Sequence, residues 1–153
     1  MKKKTIKLVS IAVIAVIFAA SAITMAFSPK KDLKPSETKI GTTYELAVKD
    51  TKPFIAIFYS DFCGYCVKSI PKYLVIADVY KDKYNIVMMN ADKPTEATYK
   101  VAKACAVSGL PAMYIIDPSI DNMIFINNAL YEDLGKIRVE LDRYLRIRSM
   151  IKK

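Results

Sequence analysis

A continuous apolar segment, Phe54–Tyr59, is followed after a short polar step by Cys63 and Cys66, which are separated by two residues. A run of β-branched and aromatic residues of this length is typical of a strand that is buried on both faces. The cysteines open a segment with helical periodicity, so their thiols would lie at a helix N-terminus. The free N–H groups and the positive dipole end of a helix favour thiolate over thiol there. The sequence therefore predicts thiol–disulfide chemistry directly after a buried strand.

Further periodic segments predict an α/β fold around this strand. The predicted helices cover about 42–50, the residues from the cysteines to about 81, 95–104 and 131–150, and the predicted strands cover 54–59, 84–89, 112–116 and 123–126. The βαβ character of the first half predicts parallel pairing, and the last two strands are close enough for an antiparallel hairpin. Thr42 or Thr43 can cap the first helix, Thr95 can cap the third, and Asn127-Asn128 suits a tight turn with positive φ. The result is a central mixed sheet of four to five strands with helices on both faces.

The N-terminus carries an uncharged, apolar segment, residues 8–27, behind lysines at positions 2, 3, 4 and 7. Its length matches a helix that crosses a ~30 Å hydrocarbon core. We expect residues 1–27 to form an N-terminal hydrophobic helix, either a retained membrane anchor or a signal peptide cleaved near Ala22 or Ala26. Both interpretations export the domain to the periplasmic or extracytoplasmic face, and a retained anchor keeps the N-terminus cytoplasmic. Residues 28–39 read as a polar linker, and residues 40–153 as the domain.

Composition excludes several other kinds of site. The chain has no histidine, which removes Cys–His and Ser–His catalysis and the commonest ligand of transition metals. Its four glycines are too scattered for a phosphate-binding loop. The N-terminal lysines supply four of the nine net positive charges, and the remaining charge of about +5 is spread along helices. Such a distribution is typical of a solvated surface rather than of nucleic-acid binding. We therefore predict no cofactor, no metal site and no nucleic-acid partner.

With these features together, residues 38–152 resemble a thioredoxin-fold disulfide oxidoreductase. Cys63-Gly64-Tyr65-Cys66 is similar to the active-site tetrad of that family, Phe62 to the aromatic residue before it, and Pro71 to the proline that kinks the active-site helix. Gly109-Leu110-Pro111 resembles the loop whose proline is cis and faces the disulfide. The resemblance implies a thioredoxin-like three-layer α/β/α fold. A lone CxxC is only a moderate signal, but the downstream proline motifs make this one specific.

One residue departs from the family pattern. Reducing thioredoxins place a buried Asp six residues before the first cysteine, where it assists proton transfer at the second thiol. Ile57 occupies that position here. The tetrad Cys-Gly-Tyr-Cys also occurs in bacterial periplasmic disulfide isomerases, so the direction of electron flow stays open. The departure predicts a site that exchanges disulfides without efficient general-base help for Cys66.

The resemblance also implies the roles of the site residues and the partners. Cys63 is expected to attack and Cys66 to resolve the mixed disulfide, and the surrounding loop is expected to comprise Phe62, Gly64, Tyr65, Leu110 and Pro111. Protein thiols or disulfides would be the substrates, a redox protein the second partner, and the membrane a contact of residues 8–27 if they are retained. The alternative function is a non-catalytic thioredoxin-like binding or assembly module at the membrane. We expect Cys105 to be a buried, unreactive thiol, with a second redox-sensitive site as the alternative.

Overall fold

The computed structural model describes residues 33–151, which form a sheet covered by helices on both faces. The strands are β1 (Phe54–Tyr59), β2 (Asn85–Asn90), β3 (Ala112–Asp117) and β4 (Asn122–Ile126). The helices are α1 (Tyr44–Ala47), α2 (Gly64–Tyr80), α3 (Glu96–Ala104) and α4 (Leu134–Ile151), with 3-10 helices at Pro35–Glu37 and Asn128–Leu130. Each strand and helix that the sequence predicts within residues 33–151 is therefore present, although α1 is shorter than predicted.

The sheet is mixed, with the strand order β2-β1-β3-β4. β1 pairs in parallel with β2, because α2 carries the chain back across the sheet between them. β1 pairs antiparallel with β3, and β3 forms an antiparallel hairpin with β4 through a short turn. The predicted mixed sheet and its pairing are thus confirmed, with four strands.

β1 is buried at every position and separates two hydrophobic cores. Ile55 and Ile57 point into the core under α2 and α4, whereas Phe54, Ala56 and Phe58 point into the core under α1 and α3. Alternate side chains of a strand face opposite sides of a sheet, so a strand between two helical layers must be apolar throughout. Full burial of each large side chain stabilises the fold by about 1.5–3 kcal/mol. This double burial fixes the position of the strand that ends just before the cysteines.

Side-chain caps begin the helices where the sequence predicts them. The hydroxyl of Thr43 accepts a hydrogen bond from Leu46 N at 3.4 Å, and that of Thr95 accepts one from Thr98 N at 3.1 Å. The prediction of positive φ at Asn127-Asn128 is wrong, because Asn127 has φ −58° and its side chain accepts from Ala129 N at 2.9 Å. That side-chain bond begins a 3-10 turn, which leads into α4.

The predicted hydrophobic helix at residues 8–27 lies outside the described residues, as do residues 28–32 of the predicted linker. Among residues 33–151, none of the helices combines the length and apolar character needed to cross a membrane. The described end of the linker, from Leu33, does not run free of the domain: Pro35 is buried and Pro35–Glu37 forms a 3-10 helix. The boundaries of the anchor and the linker stay predictions.

Candidate active site

The two cysteines occupy different environments at the start of α2. Cys63 is the N-cap residue, and its Sγ accepts a hydrogen bond from Cys66 N at 3.2 Å. Cys63 is partly exposed, Cys66 is fully buried, and both thiols are free. Since only Cys63 presents sulfur at the surface, a partner protein can reach this thiol first.

Burial dominates the electrostatics of the second thiol. Burial first and the hydrogen bond with the Cys63 thiol second raise the pKa of Cys66 to about 12. Ile57, at the position where reducing thioredoxins carry a buried Asp, is fully buried in the apolar core and supplies no proton acceptor. Cys66 is therefore held as a neutral thiol near neutral pH.

The loop before β3 lies against the exposed thiol. The Leu110–Pro111 peptide bond is cis, as the resemblance implied. Cys63 Sγ lies 3.6 Å from the carbonyl oxygen of Leu110. The register that pairs Phe58 with Ala112 explains this contact, because it brings the end of β1 and the start of β3 to the same edge of the sheet. The structure thus joins two motifs that are far apart in sequence.

Open grooves flank this loop on both sides. One groove of about 430 Å³ is lined by Tyr65, Pro111 and Tyr131, among others, and one of about 350 Å³ by Phe58 and Val107, among others. Leu110 lines both. Phe62 and Tyr65 project outward, with 86% and 71% of their surface exposed. Exposed aromatic side chains beside a groove are typical of a protein-binding surface.

The structure does not require glycine at position 64, one of the predicted loop residues. It opens α2, and a Cβ added there would meet no atom within 4 Å. Of the predicted site residues, Cys63, Cys66, Leu110 and Pro111 come together, whereas Phe62 and Tyr65 border them at the surface.

Hydrogen bonds that join Asp61 to Ser36 and Asp92 hold the loop before Cys63, and the sequence does not predict them; we call this set of bonds the Asp61 brace. The carboxylate of Asp61 accepts hydrogen bonds from Ser36 N at 3.0 Å and from Ser36 Oγ at 2.6 Å, and Asp61 N donates to Asp92 Oδ2 at 2.7 Å. Desolvation opposes ionisation of Asp61, but the Ser36 hydrogen bonds and the nearby Lys34 and Lys93 hold its pKa below the usual range. No local pattern signals these contacts, because the partners lie 25 and 31 residues away.

Cys105 lies apart from the dithiol, at the end of α3. It is 7% exposed, its Sγ lies 2.9 Å from Met123 Sδ, and burial raises its pKa to about 11. Within residues 33–151, no group of three or more Cys, Asp or Glu side chains is arranged to hold a metal ion.

Comparison with known proteins agrees with this fold. The sequence model of the family described as Thioredoxin matches residues 36–134, which is more than half of the chain, so the chain belongs to the thioredoxin family. It is 34% identical over 82 residues to thioredoxin-like protein HCF164, chloroplastic, from Arabidopsis thaliana, covering 52% of this chain and 31% of that protein. It is 30% identical over 86 residues to protein disulfide-isomerase A2 from Homo sapiens, covering 56% of this chain and 16% of that protein. The match thus spans less than a third of either relative.

Solved structures show the same fold at low sequence identity. The thioredoxin of Trypanosoma brucei brucei superimposes with a TM-score of 0.51 at 16% identity, covering 69% of this chain and 96% of that one. The Trx4 domain of ERdj5 superimposes with a TM-score of 0.52 at 17% identity, covering 66% and 86%. At these identities the likeness concerns the fold alone.

Proposed function

We propose that this protein is an exported thiol–disulfide oxidoreductase that exchanges disulfides with protein substrates through Cys63 and Cys66. The observation that carries the proposal is the asymmetric dithiol: a partly exposed Cys63 caps a helix directly above a buried Cys66. Its Sγ lies beside the Leu110 carbonyl, next to a cis proline. A thiol in this position can form a transient bond with a partner, and the second thiol can release it.

The proposed reaction proceeds in two exchange steps. The Cys63 thiolate attacks one sulfur of a substrate disulfide, the substrate S–S bond breaks, and its second sulfur leaves as a thiolate that takes up a proton. Cys66 then loses its proton and attacks Cys63 Sγ, which releases the first substrate sulfur and forms the Cys63–Cys66 disulfide. The substrate disulfide gains the two electrons that the dithiol loses. Read backwards, the same steps oxidise a substrate dithiol.

The loop around Cys63 would hold the substrate during the first step. Phe62, Tyr65 and Leu110 offer apolar surface on both sides of the sulfur, with Gly64 between them and Pro111 closing one groove. Apolar surface of this kind suits an extended or unfolded segment around a substrate cysteine.

We expect Cys66→Ser to trap Cys63 in mixed disulfides with its substrates, because the resolving thiol is missing. The variant is expressed in the native host, and free thiols are blocked with acid and an alkylating reagent. Adducts are then resolved on non-reducing gels and identified by mass spectrometry. Cys63→Ser/Cys66→Ser is the matched control and should form none. If Cys66→Ser forms no more adducts than this control, the proposal is wrong.

The direction of electron flow is a separate question. A reduction potential near that of thioredoxin, about −270 mV, would indicate a reductant of exported proteins, and one near −120 mV an oxidant. Equilibration with a glutathione or dithiol buffer gives this value directly. Its redox partner would be a second thiol protein on the same side of the membrane.

Export rests on the N-terminal sequence. The mass of the N-terminal peptide, measured on protein from membrane and soluble fractions, distinguishes a retained anchor at residues 8–27 from a cleaved signal peptide. An intact N-terminus on protein found only in the cytosol would contradict export.

A second candidate is a non-catalytic binding or assembly module at the membrane. Ile57 favours it, because it leaves Cys66 without the buried carboxylate of reducing thioredoxins, and so does the exposure of Phe62 and Tyr65. This candidate expects Cys63→Ser to preserve the biological role and the purified protein to reduce no model disulfide.

A further inference from the structure

A buried tyrosine on α2 has a hydroxyl group without a hydrogen-bond partner. Tyr73 is 2% exposed, and within residues 33–151 its Oη is the one buried side-chain nitrogen or oxygen that makes no hydrogen bond. Buried polar atoms are almost always paired, so an unpaired hydroxyl calls for an explanation. A phenylalanine of the same shape would avoid the loss of hydration. The hydroxyl is therefore a candidate for a role in another state of the protein.

The hydroxyl lies on the side of α2 that carries the buried thiol. Tyr73 follows Cys66 by seven residues, which is close to two helical turns, so both side chains project from the same face. Helical side chains lean toward the N-terminus of their helix, so the long tyrosine side chain extends back toward Cys66. Ser69 lies between them, and its hydroxyl proton is engaged at 2.8 Å with the carbonyl oxygen of Tyr65.

The electrostatics agree with this placement. Burial raises the pKa of Tyr73 most, the nearby Ser69 hydroxyl lowers it although it makes no hydrogen bond with Tyr73 in this state, and charge on Cys66 and Cys63 raises it again. Both sulfurs are thus within electrostatic range of the hydroxyl. Burial first and Tyr73 to a smaller extent raise the pKa of Tyr131, so Tyr131 is also nearby, but its Oη already has a partner, since it accepts a hydrogen bond from Met113 N at 2.5 Å.

The resolving step requires a group that stabilises negative charge on the sulfur of Cys66. Cys66 must become a thiolate to attack, although burial holds its pKa far above that of an exposed thiol. A backbone hydrogen bond from Ser60 lowers the pKa of Cys66 but is outweighed by burial. The charge of Asp92 works against a thiolate at Cys66, and Ile57 is apolar and cannot help. A neutral hydroxyl that is already buried can donate a hydrogen bond to the new charge without a further desolvation cost.

We propose that the Tyr73 hydroxyl stabilises the Cys66 thiolate while the mixed disulfide is resolved, which deepens the proposed function and rests on it. Cys66 gives its proton to solvent, Tyr73 donates a hydrogen bond and keeps its own proton, and Cys66 attacks Cys63 Sγ. The Cys63–substrate bond breaks as the Cys63–Cys66 bond forms, and the substrate leaves as a thiolate that takes up a proton. Tyr73 thus acts on the second thiol rather than on the substrate.

A two-step colorimetric reaction separates the attack of Cys63 from the resolution by Cys66. Reduced full-length protein carrying Cys105→Ala is mixed with a symmetrical aromatic disulfide whose released thiolate is coloured. The first coloured thiolate reports attack by Cys63, and the second reports resolution by Cys66. We expect Tyr73→Phe to keep the first rate and to slow the second roughly tenfold or more, the loss expected for one hydrogen bond to a charged group. The pH profile of the second step should shift upward.

Tyr80→Phe is the matched control, because Tyr80 lies on the same helix and its hydroxyl donates to Asp142 at 3.0 Å. It should lower the melting temperature and leave both rates unchanged, whereas Tyr73→Phe should not lower the melting temperature. An unchanged second rate in Tyr73→Phe, or an equal slowing of both steps, overturns the inference. If the protein that carries Cys105→Ala and keeps Tyr73 releases only one coloured thiolate, the proposed function itself fails, and the inference fails with it.

Discussion

At the scale of single residues, two thiols of one short motif differ because their surroundings differ. Cys63 is partly exposed and accepts a backbone hydrogen bond, whereas Cys66, one turn further, is enclosed by core residues. The sequence predicts the pair and the order of their roles through the family resemblance. It does not predict the brace from Ser36 through Asp61 to Asp92, because hydrogen bonds over such separations leave no local pattern. Nor does the sequence distinguish Tyr73 from the other residues of its helix.

Cys105 is expected to be unreactive in the folded protein. Its burial raises its pKa to about 11, so little thiolate exists at pH 8 and reagents have little access to the sulfur. Brief treatment of reduced protein with iodoacetamide, followed by peptide mass spectrometry, should show modification at Cys63 and not at Cys105 until denaturant is added. Modification of Cys105 at the rate of Cys63 in the native state would instead support the second redox-sensitive site.

At the scale of elements, a buried ion pair attaches the last helix to the sheet. Asp117, at the end of β3, has no exposed surface and accepts hydrogen bonds from Arg148 Nε and, at 2.9 Å, from Tyr144 Oη. Arg148 also donates to the carbonyl oxygen of Thr51 at 2.5 Å. The sequence predicts the helix at residues 131–150 from its periodicity. It does not predict the ion pair, because Arg148 belongs to a basic face that reads as solvated.

We expect Asp117→Asn to lower the free energy of unfolding by roughly 3 kcal/mol at pH 7, because it leaves Arg148 without its partner in a largely buried site. Desolvation opposes ionisation of Asp117, but hydrogen bonds from Arg148, Ser119 and Tyr144 outweigh it and lower its pKa. A lowered pKa in the folded state stabilises the fold above the unfolded-state pKa of about 3.9, and this contribution is lost as the pH falls through the folded-state value.

Urea denaturation at pH 7 and pH 3 measures this effect. The difference between the parent protein and Asp117→Asn should shrink at the lower pH. Asp82→Asn, at an exposed position, is the control and should change stability by less than about 0.5 kcal/mol. A difference between the parent protein and Asp117→Asn that is the same at both pH values would show that the charge of Asp117 does not stabilise the fold.

At the scale of the whole domain, we expect the redox state of Cys63 and Cys66 to change the stability of the entire fold. Folding and disulfide formation are thermodynamically linked, so the form that the fold stabilises more determines the direction of exchange. In the reduced protein, Cys66 is a buried neutral thiol and Cys63 Sγ accepts a single backbone hydrogen bond. A disulfide, in contrast, restricts the unfolded chain and leaves no buried thiol to ionise.

The oxidised protein is therefore expected to be more stable than the reduced protein, by on the order of 2–3 kcal/mol. Guanidinium denaturation with and without a dithiol reductant measures the difference, and Cys63→Ala/Cys66→Ala controls for effects of the reductant itself. A higher stability of the oxidised form corresponds to a potential nearer that of thioredoxin. Greater stability of the reduced form would be the mark of an oxidant.

The sequence by itself determined the elements and the chemistry that they carry. Apolar runs, helical periodicity and capping threonines act over a few residues, so the strands, the helices and the dithiol at the start of α2 could be read from them. Only the tertiary structure decided which thiol is exposed, what braces the loop before it and where the unpaired hydroxyl of Tyr73 lies. The reason is physical: burial and hydrogen bonding at the dithiol are set by β1, α2 and the loop at Pro111, which meet only when the sheet forms.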